Sequence, residues 1–329
     1  MTSNIIPLHE RTWKTPHGIL QHTPVDRLEW LELREHCVTA SVAGALLGVH
    51  EYVTAYELWA QKSGLVPPIN ADDPVLVRGE LLEDDAIELL GRKHPGWQIT
   101  PNIIGKGGVF LEEPSHRMGA TPDAFVLDDE RVPAIVEIKT TDYSTFRNKW
   151  GGPDNPQPPL WIAVQATVTA YLAGARKAYV ACLVVGRTLD LHVMPIETNL
   201  AVIKKIQKAS TDFWIAVDQN TPPNPDYERD GAVIAALLPH DQGTTIDLTG
   251  DPEFVAACVE RMALHEQIAG MTAKMGRHDA LIRHRIGTHS YAVAGDFRVS
   301  NKLVQRKGFV VKPTEYRKLT IKLADGEGE

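Results

Sequence analysis

Two carboxylates and a lysine stand at a spacing that could hold a divalent cation beside a phosphate. Asp123, behind Pro122, opens the apolar run 124–127; after thirteen intervening residues, Glu137 and Lys139 close the apolar run 134–139. Short apolar runs bounded by turn residues read as strands. Residues two apart on a strand share a face, so Glu137 and Lys139 point together while Ile138 points into the opposite packing layer. A hairpin through residues 128–133 would bring Asp123 near Glu137. Carboxylates that converge on one point repel each other unless a cation lies between them, and oxygen-only donors favour a hard ion, Mg2+ or Mn2+. Such an ion polarises a phosphodiester and lowers the pKa of a bound water. Lys139 would orient or deprotonate that water, or neutralise charge building on the phosphate, and a backbone carbonyl, that of Ile138, would complete the coordination shell. An E-x-K on a strand by itself equally describes an exposed edge with an ion pair; the upstream Pro-Asp at hairpin spacing is what sharpens it.

The elements that must position these residues follow from periodicity and punctuation. Residues 26–35 have helical apolar spacing (Leu28, Leu31, Leu33 with Trp30), and Thr39 precedes a small-residue helix start with a hydroxyl cap. Thr54 begins a helix that ends at Gly64, and residues 66–74 form a Pro-rich, acidic loop. Residues 79–92 read as a helix carrying Glu83. Beyond Pro95 the pattern turns to short strands at 99–104, 108–111, 124–127 and 134–139. Residues 161–172 predict an amphipathic helix closed by Gly174; 177–185 is nearly all apolar, as in a buried strand, and 189–196 alternates and could pair with it. A helix over 199–217 ends at the cluster Pro222, Pro223 and Pro225, and Asp251-Pro252-Glu253 opens another to about Gly276. Strands are expected at 291–299, 301–311 and 316–323. The division is a lead-in (1–25), a main domain (26–225), a linker (226–250) and a C-terminal module (251–329).

The 329 residues, 43% hydrophobic, suffice for one large core plus a small module. No apolar run approaches the roughly 20 residues a bilayer span needs, and the N-terminus lacks the pattern of a signal peptide, so a cytoplasmic protein is the default. Cys37, Cys182 and Cys258 form no C-x-x-C pair, which argues against a disulfide framework or a zinc or iron–sulfur site. The net charge of −8 is unusual for a nucleic-acid binder, but it is unevenly spread. Residues 271–322 hold twelve Lys/Arg against three Asp/Glu, a local +9 that leaves −17 on the remainder. Such a basic tail could hold phosphates or merely solvate a small domain. The histidines show no paired metal spacing; His116 reads as a surface turn, and residues 105–108 as a β-turn rather than a phosphate loop. Trp150, in a polar segment after the E-x-K strand, is a candidate for stacking on an end base.

Taken in order, Thr39-Ala40-Ser41, residues 55–59 (AYELW), residues 78–83 (RGELLE), residues 120–123 (ATPD), residues 136–141 (VEIKTT) and Val164-Gln165 resemble the YqaJ-like viral recombinases, relatives of phage lambda exonuclease in the PD-(D/E)XK nuclease superfamily. The resemblance runs from about residue 30 to 225. It implies an α/β class: a restriction-endonuclease-like core, a central mixed sheet flanked by helices, with a small basic C-terminal α+β module. It also implies a role for each matched residue. Glu83 is the helix-borne acid that helps bind metal, Asp123 and Glu137 are metal-binding carboxylates, Lys139 is the catalytic lysine, and Gln165 fixes the nucleophile or the lysine. Arg34 and Ser41 resemble an Arg/Ser pair that grips a terminal 5′ phosphate, a task suited to a bidentate guanidinium and a hydroxyl near a helix start. The implied activity is Mg2+-dependent hydrolysis of DNA, with Mn2+ as a substitute, running 5′→3′ from duplex ends to leave 3′ overhangs. A single-strand annealing protein as partner, a homo-oligomer such as a ring trimer, and a phage or prophage origin in a bacterial cytoplasm are implied in the same way.

Two further readings stay open at this level. One is an endonuclease or a Cas4-like nuclease, against which the missing cysteine cluster counts. The other is a non-catalytic DNA-binding or assembly protein on the same fold, which would have no need to gather carboxylates where phosphate must approach.

Overall fold

Asp128 is what turns the chain back on itself between the two strands that carry the acids. Its Oδ1 accepts the backbone N–H groups of Glu130 and Val132, both at 3.0 Å, while Oδ2 accepts Lys177 Nζ at 2.7 Å and Tyr179 OH at 3.0 Å. Side chains of Asp that bond the backbone ahead of them favour such turns. The hairpin it closes pairs Ala124 with Val136 and Leu127 with Pro133, as the spacing predicted.

The computed structural model describes residues 8–15, 17–67, 74–306, 308 and 316–322. The chain divides into two compact units, Met1–Leu237 and Leu238–Glu329. The first begins with β1 (Thr12–Lys14), β2 (Leu20–His22), α1 (Arg27–Glu35), β3 (Val38–Thr39), α2 (Ala40–Leu46), α3 (Ala55–Lys62) and α4 (Pro74–Lys93). There follow β4 (Gln98–Pro101), β5 (Phe110–Glu113), β6 (Met118–Ala120), β7 (Ala124–Leu127) and β8 (Pro133–Asp142). It ends with α5 (Tyr143–Lys149), α6 (Leu160–Ala173), β9 (Lys177–Val185), β10 (Leu189–Ile196), α7 (Leu200–Asp218) and α8 (Gly231–Leu237).

The central sheet has the order β10-β9-β8-β7-β4. Its β8–β9 pair is parallel and the others are antiparallel, so it is mixed. Alternation along β8 sends Ala134, Val136 and Ile138 toward α4, where they pack with Ala86 and Leu90. Ile135 goes to the other face and packs with Ile162, Ala166 and Ala170 of α6. A second sheet, β1-β2-β5-β6-β3, backs this layer. It is the mixed α/β architecture, with mixed sheets flanked by helices, that the sequence implied.

Helix α6 departs from the expected amphipathic pattern. Nine of its residues are buried, all round its circumference. One side meets the central sheet; Val164, Val168 and Leu172 meet α2, α7 and the second sheet. An apolar stripe cannot form where both faces have partners. The close approach explains the small residues of α2, since a Cβ on Gly44 would lie 3.2 Å from Trp161 Cβ. Gly174 ends α6 at φ 64°, a left-handed conformation that favours glycine.

Other boundaries moved. The lead-in contains β1 and β2, which join the second sheet through β5. The expected strands at 99–104 and 108–111 lie at Gln98–Pro101 and Phe110–Glu113. Helix α4 begins at Pro74 rather than Gly79, using proline in its first turn. Thr39 precedes α2, but its hydroxyl pairs with Ser41 Oγ at 3.0 Å instead of capping the helix. The expected linker 226–250 includes α8, and its first half belongs to the first unit: Asp230 is buried and accepts Thr54 Oγ1 at 2.6 Å, while Val233 and Leu237 pack on the core.

The second unit contains α9 (Pro252–Ile286) and a hairpin of β11 (Tyr291–Ala294) and β12 (Phe297–Ser300). The helix is capped by Asp251, whose side chain accepts Phe254 N–H, and runs ten residues past the expected end at Gly276. No strand forms at 301–306 or 316–322, and the rest of those two expected strands lies outside the described residues. No helix among the described residues is long and apolar enough to cross a membrane.

Candidate active site

Glu137 is the centre of the site and is completely buried. Burying a charged carboxylate is costly unless its oxygens are hydrogen-bonded, and here both are. Oε1 accepts Thr169 Oγ1 at 2.7 Å; Oε2 accepts Gln165 Nε2 at 2.5 Å and Lys139 Nζ at 3.3 Å. Gln165 and Thr169 are one helical turn apart on α6, so a single face of that helix clamps the acid. The Lys139 ammonium also donates to the Ile138 carbonyl at 3.0 Å.

Asp123 stands across the hairpin. Its Oδ2 accepts the Ile138 N–H at 2.6 Å, which ties it directly to the strand carrying Glu137 and Lys139. Asn102 fixes the backbone at this point: its N–H donates to the Asp123 carbonyl at 3.0 Å, its Nδ2 to the Pro122 carbonyl at 2.9 Å. Trp30 Nε1 donates to Thr121 Oγ1 at 2.8 Å, so α1 grips the same segment. Glu83 approaches from α4, and its electrostatic neighbours are Asp123, Lys139, Asp84 and Glu137.

The charges are strongly coupled. Burial, followed by repulsion from Asp123, pushes Glu83 up to about 7. Burial pushes Glu137 up to about 7 as well, with Lys139 pulling the other way and Asp123 adding to the rise. Burial also raises Asp123, against the pull of Lys139 and the Ile138 N–H. Lys139 is the counterpart: burial works against its charge, but Glu137 and Asp123 outweigh it, and its pKa is raised. One ammonium therefore serves three carboxyl groups.

The acids Asp123, Glu137 and Glu83 influence one another and share the single Lys139 ammonium, so they are short of positive charge. Among the described residues no three His, Cys, Asp or Glu side chains form by themselves a cluster that could hold a metal. The Ile138 carbonyl and Glu137 Oε2 are the atoms that Lys139 now contacts.

Of the residues singled out from sequence, Glu83, Asp123, Glu137, Lys139 and Gln165 come together. Arg34 is half-buried, its guanidinium 4.4 Å from the centre of the Trp30 ring. Burial and the charge of Arg27 bring it down to about 10, with Glu137 among the groups pulling it up. The Ser41 hydroxyl pairs with Thr39 and its carbonyl accepts His50 Nε2 at 3.1 Å. Trp150 is not available for base stacking; it is 4% exposed and packs with Phe146. Sequence reasoning missed Thr169, Asn102 and Trp30. The first was legible as a hydroxyl residue four after Gln165, one helical turn on and so on the same face. Arg78, in the segment that leads to Glu83, donates Nη2 to the Thr140 carbonyl at 3.3 Å, and its Nε is buried without a partner among the described residues.

The model of the YqaJ-like viral recombinase domain matches residues 29–176, the stretch that holds every one of these residues. The uncharacterized protein YqaJ of Bacillus subtilis (strain 168) is 24% identical over 333 residues, spanning 94% of this chain and 99% of its own length. Among solved structures, the alkaline exonuclease LHK-Exo from Laribacter hongkongensis aligns with a TM-score of 0.46 at 20% identity, covering 63% of this chain and 100% of that one. A phage related exonuclease from Haemophilus somnus 129PT aligns with a TM-score of 0.40 at 13% identity, covering 56% of this chain and 96% of that one. By this match residues 29–176 of the chain are similar to the YqaJ-like viral recombinase domain.

Proposed function

We propose that this protein is a metal-dependent DNA exonuclease. The observation that carries the reading is the buried Glu137, clamped by Gln165 and Thr169 and facing Lys139 and Asp123. A binding module has no reason to bury a carboxylate and hold two more beside it.

Mg2+, with Mn2+ able to replace it, would be held by Asp123, Glu137 and the Ile138 carbonyl, with Glu83 helping; when bound it supplies polarisation of the phosphodiester and an acidified water. The chain's own groups do the rest. Lys139 orients the attacking water and takes up negative charge from the phosphate. Gln165 and Thr169 keep Glu137 in one rotamer, so this donor stays preorganised. Arg34, which lies over the Trp30 ring, would receive a terminal 5′ phosphate. Ser41 would join it once released from Thr39.

The polarity we propose is 5′→3′ from duplex ends, leaving 3′ overhangs for a single-strand annealing partner in phage-type recombination in the bacterial cytoplasm, by a ring-shaped homo-oligomer. These finer points rest on the likeness of the motifs between Thr39 and Gln165 to those of the YqaJ-like recombinases.

One gel tests it. Linear duplex with a 5′ phosphate, linear duplex without one, and closed circular duplex are each incubated with Mg2+ or with EDTA. The expected result is digestion of the phosphorylated linear duplex with Mg2+ alone. Cleavage of the circle defeats the exonuclease reading in favour of an endonuclease, and binding without cleavage under Mg2+ or Mn2+ favours an assembly protein.

A further inference from the structure

Helix α9 spans 35 residues, about 50 Å at 1.5 Å per residue. Only Ile286 in it is buried. Helices in proteins owe most of their stability to packing of an apolar face, and α9 has such a face. Phe254, Leu264, Ile268, Met271, Met275 and Ile282 are all between 42% and 67% exposed and lie on one line; Val255, Val259 and Leu281, exposed to a similar degree, lie off it. From Leu264 to Met275 the residues on the line recur at spacings of four, three and four, and Ile282 falls seven further on. That is a heptad seam, the pattern by which one helix packs along another. Arg261 and His278 fall on the same seam, polar positions of the sort that fix register.

Charge along the helix says what covers it. Residues 251–266 carry Asp251, Glu253, Glu260 and Glu266 against Arg261, a net −3; residues 267–286 carry Lys274, Arg277, Arg283 and Arg285 against Asp279, a net +3. Along one edge of the seam, at intervals of seven, stand Glu253, Glu260, Gln267 and Lys274. An identical helix laid antiparallel sets the acidic half of each against the basic half of the other. With Gln267 at the two-fold axis, Glu260 of one copy lies beside Lys274 of the other. Parallel pairing would set like halves together, at a cost.

We infer that α9 is an assembly surface that pairs antiparallel with α9 of a second copy of this chain. The pairing is two-fold and self-complementary, as symmetric dimers require. It does not depend on the nuclease reading, and it would link rings, if those form, as readily as single chains.

Light scattering on the full chain tests the association. The variant Ile268→Asp with Met271→Asp should have half the mass of the wild type at equal concentration; equal masses overturn the proposal. Because aspartates at those positions also weaken the helix itself, a charge pair serves as the second arm. Lys274→Glu should weaken the pairing at least several-fold, and adding Glu260→Lys should restore it. No restoration overturns the antiparallel register. Orientation is read with single spin labels in a Cys258→Ser background, the other two cysteines being wholly buried. A label at Gly270→Cys should give a short distance between copies and one at Ala256→Cys roughly 30 Å or more. Two short distances would mean a parallel pair, and no distance between copies would mean that the seam packs on its own chain; either result overturns the inference.

Discussion

Helices α6 and α9 are read from sequence by the same rule and end in opposite environments. Nine of the 14 residues of α6 are buried; one of the 35 of α9 is. The difference lies in what each helix must satisfy. α6 lies between the central sheet and the α2–α7 layer, so its polar residues survive only where they have a buried partner, and Gln165 and Thr169 both have Glu137. On α9 charged residues alternate with apolar ones at no cost, because water solvates them. On the roles proposed for them, the first unit would depend on a few buried contacts and the second on a long exposed surface.

Four experiments put this contrast at risk, in falling order of effect. Lys139→Ala should lower cleavage of linear duplex by about a hundred- to a thousandfold, the scale for loss of a preorganised stabilising group at a reacting centre. DNA binding, measured by filter retention, should survive. Loss of binding in step with cleavage would mean that the lysine is only structural, holding Glu137 in place.

Overpacking offers a direct comparison of the helices. Ala170→Leu, in the middle of α6, should destabilise the first unit by about 1–3 kcal/mol in urea unfolding. Ala273→Leu, on exposed α9, should change stability by no more than about 0.5 kcal/mol. Equal effects would show that the two helices do not differ in packing.

Thr169→Val keeps shape and removes the hydroxyl that bonds Glu137 Oε1. It should cost about 1–3 kcal/mol of stability, the penalty for an acceptor left buried and unpaired. It should also lower kcat while leaving KM unchanged, with Thr169→Ser recovering most of the loss. A variant with unchanged kcat would remove Thr169 from the site.

The smallest effect is in pH. Asp128 is held down to about 2, first by its hydrogen bond from Lys177 and then, against burial, by the N–H of Val132 and the hydroxyl of Tyr179. A carboxyl depressed on folding stabilises the fold above its unfolded pKa of 3.8, and loses that contribution as pH falls through about 2. Wild type should therefore exceed Asp128→Asn in stability by a constant margin above about pH 4, with the two converging between pH 4 and 2. A margin that persists below pH 2 would mean that the turn is held by shape rather than charge.

Much of the site is legible in the order of residues. Glu137 and Lys139 share a face because strands alternate, and Pro122-Asp123 sits at hairpin spacing; both follow from local backbone geometry. Helix starts are legible in the same way at Thr54 and Asp251, which do cap, but not at Thr39, whose hydroxyl pairs with Ser41 instead. Local pattern misleads where a partner comes from far along the chain. The two lead-in strands acquire their place only from β5, some 90 residues on. The full burial of α6, and with it the loss of Trp150 as a surface residue, depends on layers that no window of sequence contains.

Residue order alone dictates which side chains are candidates for chemistry and which neighbours they have along a strand or one turn of helix, because those relations depend on backbone period. It takes the packed fold to make Thr169 and Gln165 share one carboxylate, to brace Asp123 with Trp30 and Asn102, and to turn Ser41 toward Thr39. These contacts, all but the last, join segments 20 or more residues apart. Their geometry is fixed by how whole layers pack, and that packing is a property of the entire chain.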